Sequence, residues 1–85
     1  MSVIRILGVL VKLRSEAAMK VQDVLTKYGC SVRTRLGLNM QDDSGSGEQG
    51  LIILDLYGDP DESIRLENDL RSLDKVKVQR MEFDN

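Results

Sequence analysis

The sequence predicts an α+β domain in which four strands and two helices follow the order βαββαβ. Three observations carry that expectation. Residues 15–28 and 59–73 repeat apolar side chains at helical spacing, and each segment opens on a residue type that caps helices. Four other segments are short and rich in β-branched residues. The stretches between them are polar, or carry glycine or the single proline, Pro60.

Residues 3–13 (VIRILGVLVKL) are apolar except for Arg5, Gly8 and Lys12, which predicts a central strand covered on both faces. Ser15 can cap a following helix, with Glu16 in its first turn. Ala17, Ala18, Val21, Val24, Leu25 and Tyr28 then share one face of that helix, and Gly29 is placed to end it as a left-handed cap. Residues 31–38 (SVRTRLGL) alternate as a strand, with Val32, Thr34, Leu36 and Leu38 on one face and Arg33 and Arg35 on the other. Gly37 suggests a bulge or a close backbone approach near the strand end. Residues 39–49 (NMQDDSGSGEQ) form a loop, and 51–57 (LIILDLY) a third strand. Asp59 caps a second helix with Pro60 at its first position, and Leu66, Leu70 and Leu73 make its buried stripe, which Ile64 misses. Residues 76–83 (VKVQRMEF) close the chain as the last strand. The order is the split βαβ pattern of the ferredoxin-like fold: a four-stranded antiparallel sheet, first and third strands central, both helices on one face. Residues 1–85 are expected to form a single domain.

Composition narrows the function. Twelve Lys and Arg against fourteen Asp and Glu give a net charge of −2, which argues against a nucleic-acid partner. With one cysteine, Cys30, and no histidine, the chain offers no disulfide and no zinc or iron–sulfur site of its own. Cys30 reads as a small core hydrophobe in a reducing, cytoplasmic setting. The longest apolar run is too short to span a bilayer, so no membrane partner is expected.

The sheet face away from the helices is the first candidate site. A hairpin register in which opposing residue numbers sum to about 88 puts Val32 opposite Leu56, Thr34 opposite Leu54 and Leu36 opposite Ile52 beneath the helices. Arg33 then faces Asp55 and Arg35 faces Ile53 on the open side. With Ile4, Ile6 and Leu10 placed under the helices, the open face holds Leu7, Val9, Val11, Leu51, Ile53 and Tyr57, rimmed by Arg5, Arg33 and Arg35. A patch of that kind predicts a homodimer or higher homo-oligomer; a greasy face shielded by arginine stems is the plainer alternative.

No catalytic apparatus is evident, and no enzyme activity or cofactor is expected. A serine or cysteine nucleophile has no histidine base. The turn after the first strand has neither a Cys-x-x-Cys pair nor a glycine-rich phosphate cradle. Asp42, Asp43, Ser44, Ser46 and Glu48 miss the EF-hand spacing, so a mobile, polar hairpin loop is the better reading. Two clusters remain as ligand candidates. Arg14 and Ser15 stand at the start of the first helix, where anions are favoured. Arg33 and Arg35 could hold a carboxylate at a subunit seam, or simply pair with Asp55.

Tyr28-Gly29, residues 32–38 with Arg35-Leu36-Gly37, the 51–56 strand and Val76-Lys77-Val78 together resemble a family of small ACT-like proteins assigned as regulators of the iron-only hydrogenase system. The likeness covers nearly the whole chain. The sequence departs from the family where Asn39 replaces a usual proline and where the 42–47 loop is longer. The glycine-rich turn of amino-acid-binding ACT domains is absent, and the His and Cys ligands of nickel-binding relatives are missing. The resemblance implies an ACT-like, non-enzymatic, oligomeric regulatory or small-ligand-binding domain, with any anionic or amino-acid-like ligand near Arg14, Ser15, Arg33 and Arg35. A structural or protein-partner module without a small ligand is the alternative.

Overall fold

The computed structural model describes residues 3–41 and 48–84. Its elements run β1 (Val3–Lys12), α1 (Glu16–Lys27), a 3-10 turn (Gly29–Ser31), β2 (Val32–Gln41), β3 (Glu48–Leu56), α2 (Pro60–Arg71) and β4 (Val76–Asp84). The strands form one antiparallel sheet in the order β2-β3-β1-β4, with both helices on one face. This is the ferredoxin-like α+β architecture. The loop expected over 39–49 is shorter: residues 39–41 pair with 48–50 and extend β2 and β3, while the acidic stretch 42–47 lies outside the described residues.

Helix boundaries follow local chemistry. The Ser15 hydroxyl accepts from the Ala18 amide at 3.1 Å, and the Asp59 carboxylate accepts from the Asp61 amide at 2.9 Å with Pro60 behind it. Gly29 is not a left-handed cap: Tyr28 ends α1 and Gly29 begins the 3-10 turn. That turn points Ser31 inward and leaves Cys30 exposed, so the thiol is not a core residue.

The core lies between the sheet and the helices. Leu7, Val9 and Val11 of β1, Ile52, Leu54 and Leu56 of β3 and Val78 of β4 meet Val21, Leu25 and Tyr28 of α1 and Leu66 and Leu70 of α2. Two sequence expectations change here. Strand β1 has the opposite phase, so Leu7, Val9 and Val11 are 0%, 0% and 3% exposed beneath the helices rather than on the open face. Both sets of alternate residues in β1 are apolar, and only the inward set meets the helices' leucine stripes.

The second change is a β-bulge. Val32 opposes Leu56 as expected, but the register shifts between Val32 and Thr34, after which Thr34 opposes Asp55, Arg35 opposes Leu54 and Leu36 opposes Ile53. One extra residue, Arg33, turns every later side chain of β2 over. Arg35 moves to the helix side, while Leu36 and Leu38 move to the open face. Arg5 shares the inward phase of β1 and binds Glu82 at 2.6 Å, so it does not rim the open face. Gly37 pairs regularly with Ile52, and the bulge is not there.

Candidate functional site

The turn from β1 into α1 is tight, and its backbone is unusual. Arg14 has φ 55°, and Lys75, in the turn before β4, has φ 64°. Neither carries the glycine or asparagine that the left-handed region favours, so each conformation is held at a cost by its surroundings. The Ser15 hydroxyl donates to the Lys12 carbonyl while capping α1, which fixes the strand end against the helix start.

The two turns face one another across a cleft of about 350 Å³ lined by Lys12, Arg14, Ser15, Glu16, Ala17, Lys20, Asp74 and Lys75. Lys20 reaches Glu16 at 3.6 Å, an exposed pair of little strength. Among the described residues, Lys12, Arg14, Lys75 and Asp74 make no ion pair. With four cations against the Glu16 and Asp74 carboxylates, the lining is net positive beside the first amides of α1. A shallower groove of about 470 Å³ continues along α1 past Ala18, Met19 and Gln22. Arg35 donates to the Gln22 side-chain oxygen at 2.7 Å but lines a separate pocket of about 200 Å³ with Leu25, Gly29, Val32 and Leu54.

The four expected ligand residues thus do not form one cluster. Arg14 and Ser15 line the cleft, and Arg35 lines a different pocket on the helix side of the sheet. Arg33 lies on the opposite face of the sheet. Its guanidinium holds both Asp55 oxygens, at 2.9 and 3.1 Å, and lies 5.7 Å from the centre of the Tyr57 ring. Hydrogen bonding from Arg33 holds the Asp55 carboxyl below the usual carboxylate range, against partial burial, which pushes it up. The cross-strand pairing is what occupies Arg33. Sequence reasoning missed Lys12, Lys20 and Lys75: Lys75 is far from Lys12 along the chain, and only the topology brings them together.

The open sheet face is the second region. Leu51, Ile53 and Tyr57 lie there as expected. Strand β1 contributes Ile4, Ile6 and Leu10, β2 contributes Leu36, Leu38 and Met40, and β4 contributes Met81 and Phe83. Leu36, Met81 and Phe83 are each more than half exposed, at 53%, 55% and 53%. The apolar face is wider than the one read from sequence, because the bulge adds all of distal β2.

Among the described residues no group of three or more His, Cys, Asp or Glu side chains is placed to hold a metal ion, and no helix is long and apolar enough to cross a membrane. No family model and no curated protein matches the sequence. Solved structures do match in shape. The uncharacterized protein TM1266 of Thermotoga maritima superposes with a TM-score of 0.71 at 19% identity, over 98% of this chain and 100% of that one. The ACT domain of a GTP pyrophosphokinase of Chlorobium tepidum gives 0.63 at 16% identity, over 92% and 96%. CPII of Thiomonas intermedia K12, bound to ADP, AMP and acetate, gives 0.60 at 10% identity, over 100% and 94%. At these identities the likeness establishes the ACT-like fold.

Proposed function

We propose that the chain is a non-catalytic regulatory domain that binds a small anionic ligand in the basic cleft between β1 and α1. The observation that carries this reading is the convergence of Lys12, Arg14, Lys20 and Lys75 on a cavity of about 350 Å³ at the start of a helix. Four cations against two carboxylates, Glu16 and Asp74, leave a net positive lining at the helix start, which suits a carboxylate or phosphate. Two structural neighbours support that class of role. One is the ACT domain of a nucleotide pyrophosphokinase, and the other, a nitrogen regulatory PII-like protein, holds ADP, AMP and acetate or bicarbonate. The cleft is taken as a binding site and is assigned no catalytic step. The resemblance to regulators of the iron-only hydrogenase system supplies a cellular setting for such a domain.

Titration calorimetry with ADP, AMP, acetate and free amino acids tests the proposal. Saturable binding by at least one of them is expected, weakened at least about tenfold in the double variant Arg14→Gln, Lys75→Gln. Binding that is indifferent to those two charges would remove the cleft as the site. If none of these ligands bound, the domain would be a protein-partner module, a reading that the broad apolar sheet face favours.

A further inference from the structure

The geometry points to a second copy of this chain packed face to face on the open side of the sheet. The proposal does not rest on the ligand-binding reading: Gly8 and Ile53, on which it turns, are not in the basic cleft, and only Lys12 borders both regions. Gly8 is the starting observation. It sits midway along central strand β1, opposite Ile53 on one side and Gln79 on the other, at the middle of the open face. Glycine weakens a strand interior, so a reason for it is needed. The protomer supplies none. Gly8 is not in the left-handed region, and a Cβ there would meet only the Ile53 Cδ1 atom, at an ordinary 3.9 Å. What the missing side chain provides is a hollow at the centre of the apolar face, where another surface can approach closely.

The size and charge of the face identify that surface. Four strands of 9 or 10 residues, spaced about 4.8 Å apart with a rise of about 3.3 Å per residue, present about 600 Å². Two such faces cover about 1,200 Å², the lower range of stable interfaces. Charge is depleted at the centre and confined to the rim, as in protein interfaces. Asp55 is already neutralised by Arg33, so it brings no uncompensated charge into a seam. The remaining charges, Lys12 and Lys77, lie at one end of the face, and Tyr57, Ile4 and Phe83 lie at the other. A two-fold axis crossing the strands at Gly8 lays the lysine end of one protomer over the aromatic end of its partner, so no lysine meets its like. The patch is thus complementary to itself, which a closed two-fold dimer requires. Tyr57, Phe83 and Arg33 are also the side-chain types that anchor interfaces.

Sedimentation equilibrium of the 85-residue chain, from nanomolar to high micromolar concentration, tests this with three variants. Wild type should give twice the 9.6 kDa chain mass. Gly8→Leu fills the hollow, its Cβ meeting only Ile53 Cδ1 at an ordinary 3.9 Å, and Ile53→Asp puts an unpaired carboxylate beside it. Each should raise the dissociation constant by at least about thirtyfold. Met19→Glu, on the outer surface of α1 and 70% exposed, should leave association unchanged. Circular dichroism of Gly8→Leu should show a folded protomer, which separates loss of assembly from loss of fold. A wild-type tetramer reduced to a dimer by either face substitution would also support the proposal. A monomeric wild type would overturn it. So would an oligomer that both Gly8→Leu and Ile53→Asp leave intact, because the exposed edge of β2 would then be the interface.

Discussion

Glu67 is the buried charge on which α2 and β4 depend, and Glu67→Gln should measure that dependence. Its side chain is 8% exposed, and both carboxylate oxygens are used: Arg71 Nε donates at 2.8 Å and Arg80 Nη1 at 3.3 Å. Arg71 also donates to the Val78 carbonyl at 3.0 Å, tying the helix to the last strand. Arg80 approaches Glu82 at 3.9 Å, and Glu82 binds Arg5, so five charged residues form a chain along one side of the core. Removing one partner of a fully buried pair costs roughly 3–5 kcal/mol. Here the arginines are 45% and 44% exposed and can turn to water when the carboxylate goes, which reduces the expected loss to about 1–2 kcal/mol. Glutamine keeps the side chain's length and nearly its helix propensity, so the change isolates the charge. For a domain of this size the loss lowers Tm by roughly 5–15 °C. Thermal denaturation followed by circular dichroism at neutral pH reads it, at one fixed protein concentration because association would shift the midpoint. A loss below about 0.5 kcal/mol would show that the carboxylate is effectively solvated and the chain of charges incidental.

Other elements predict separate outcomes. Ser15→Ala removes the cap of α1 and should cost about 1 kcal/mol in chemical denaturation; no change would mean that the turn from β1 is held without it. Leu66→Ala, at a fully buried position facing the sheet, should cost roughly 2–5 kcal/mol, and a smaller loss would show that the core collapses around the gap. The Tyr28 hydroxyl donates to Asp69 at 2.8 Å, and that bond, with desolvation behind it, raises the phenol's pKa. A raised folded-state pKa contributes stability that is complete below the ordinary tyrosine value and is lost as pH rises through the folded value. Tyr28→Phe should therefore flatten the alkaline limb of the stability profile, and an unchanged limb would contradict the assignment.

Much of the fold was legible in the sequence because its signals are local. Ser15, Asp59 and Pro60 mark where helices start, and the leucine stripe of α2 has a clear period. Two features were not legible, for physical reasons. Strand β1 is apolar at both alternate sets of positions, so its pattern has no phase, and the choice of Leu7, Val9 and Val11 for the core is made by packing against the helices. The bulge at Arg33 has no glycine or proline to announce it. The Arg33–Asp55 pair was expected and is kept, whereas the shift turns Arg35 under the helices to Gln22, a contact that only the tertiary structure shows. The site suffered accordingly. Arg14 and Ser15 were readable from the helix start they flank, whereas Lys75 joins them only through tertiary structure. Gly8 was visible as an interruption, but its significance depends on its place at the centre of an open face.

Methionine oxidation tests the burial of that face most directly. Met40 and Met81 lie on it at 44% and 55% exposure, while Met19, on α1, is 70% exposed and provides an internal reference. In a free protomer all three thioethers would meet peroxide at comparable rates, because susceptibility follows exposure. Time-resolved mass spectrometry of the native protein under mild peroxide should find Met19 converted to sulfoxide first, Met40 and Met81 protected, and that protection lost in Gly8→Leu. Oxidation of all three together in the wild-type protein would contradict the account.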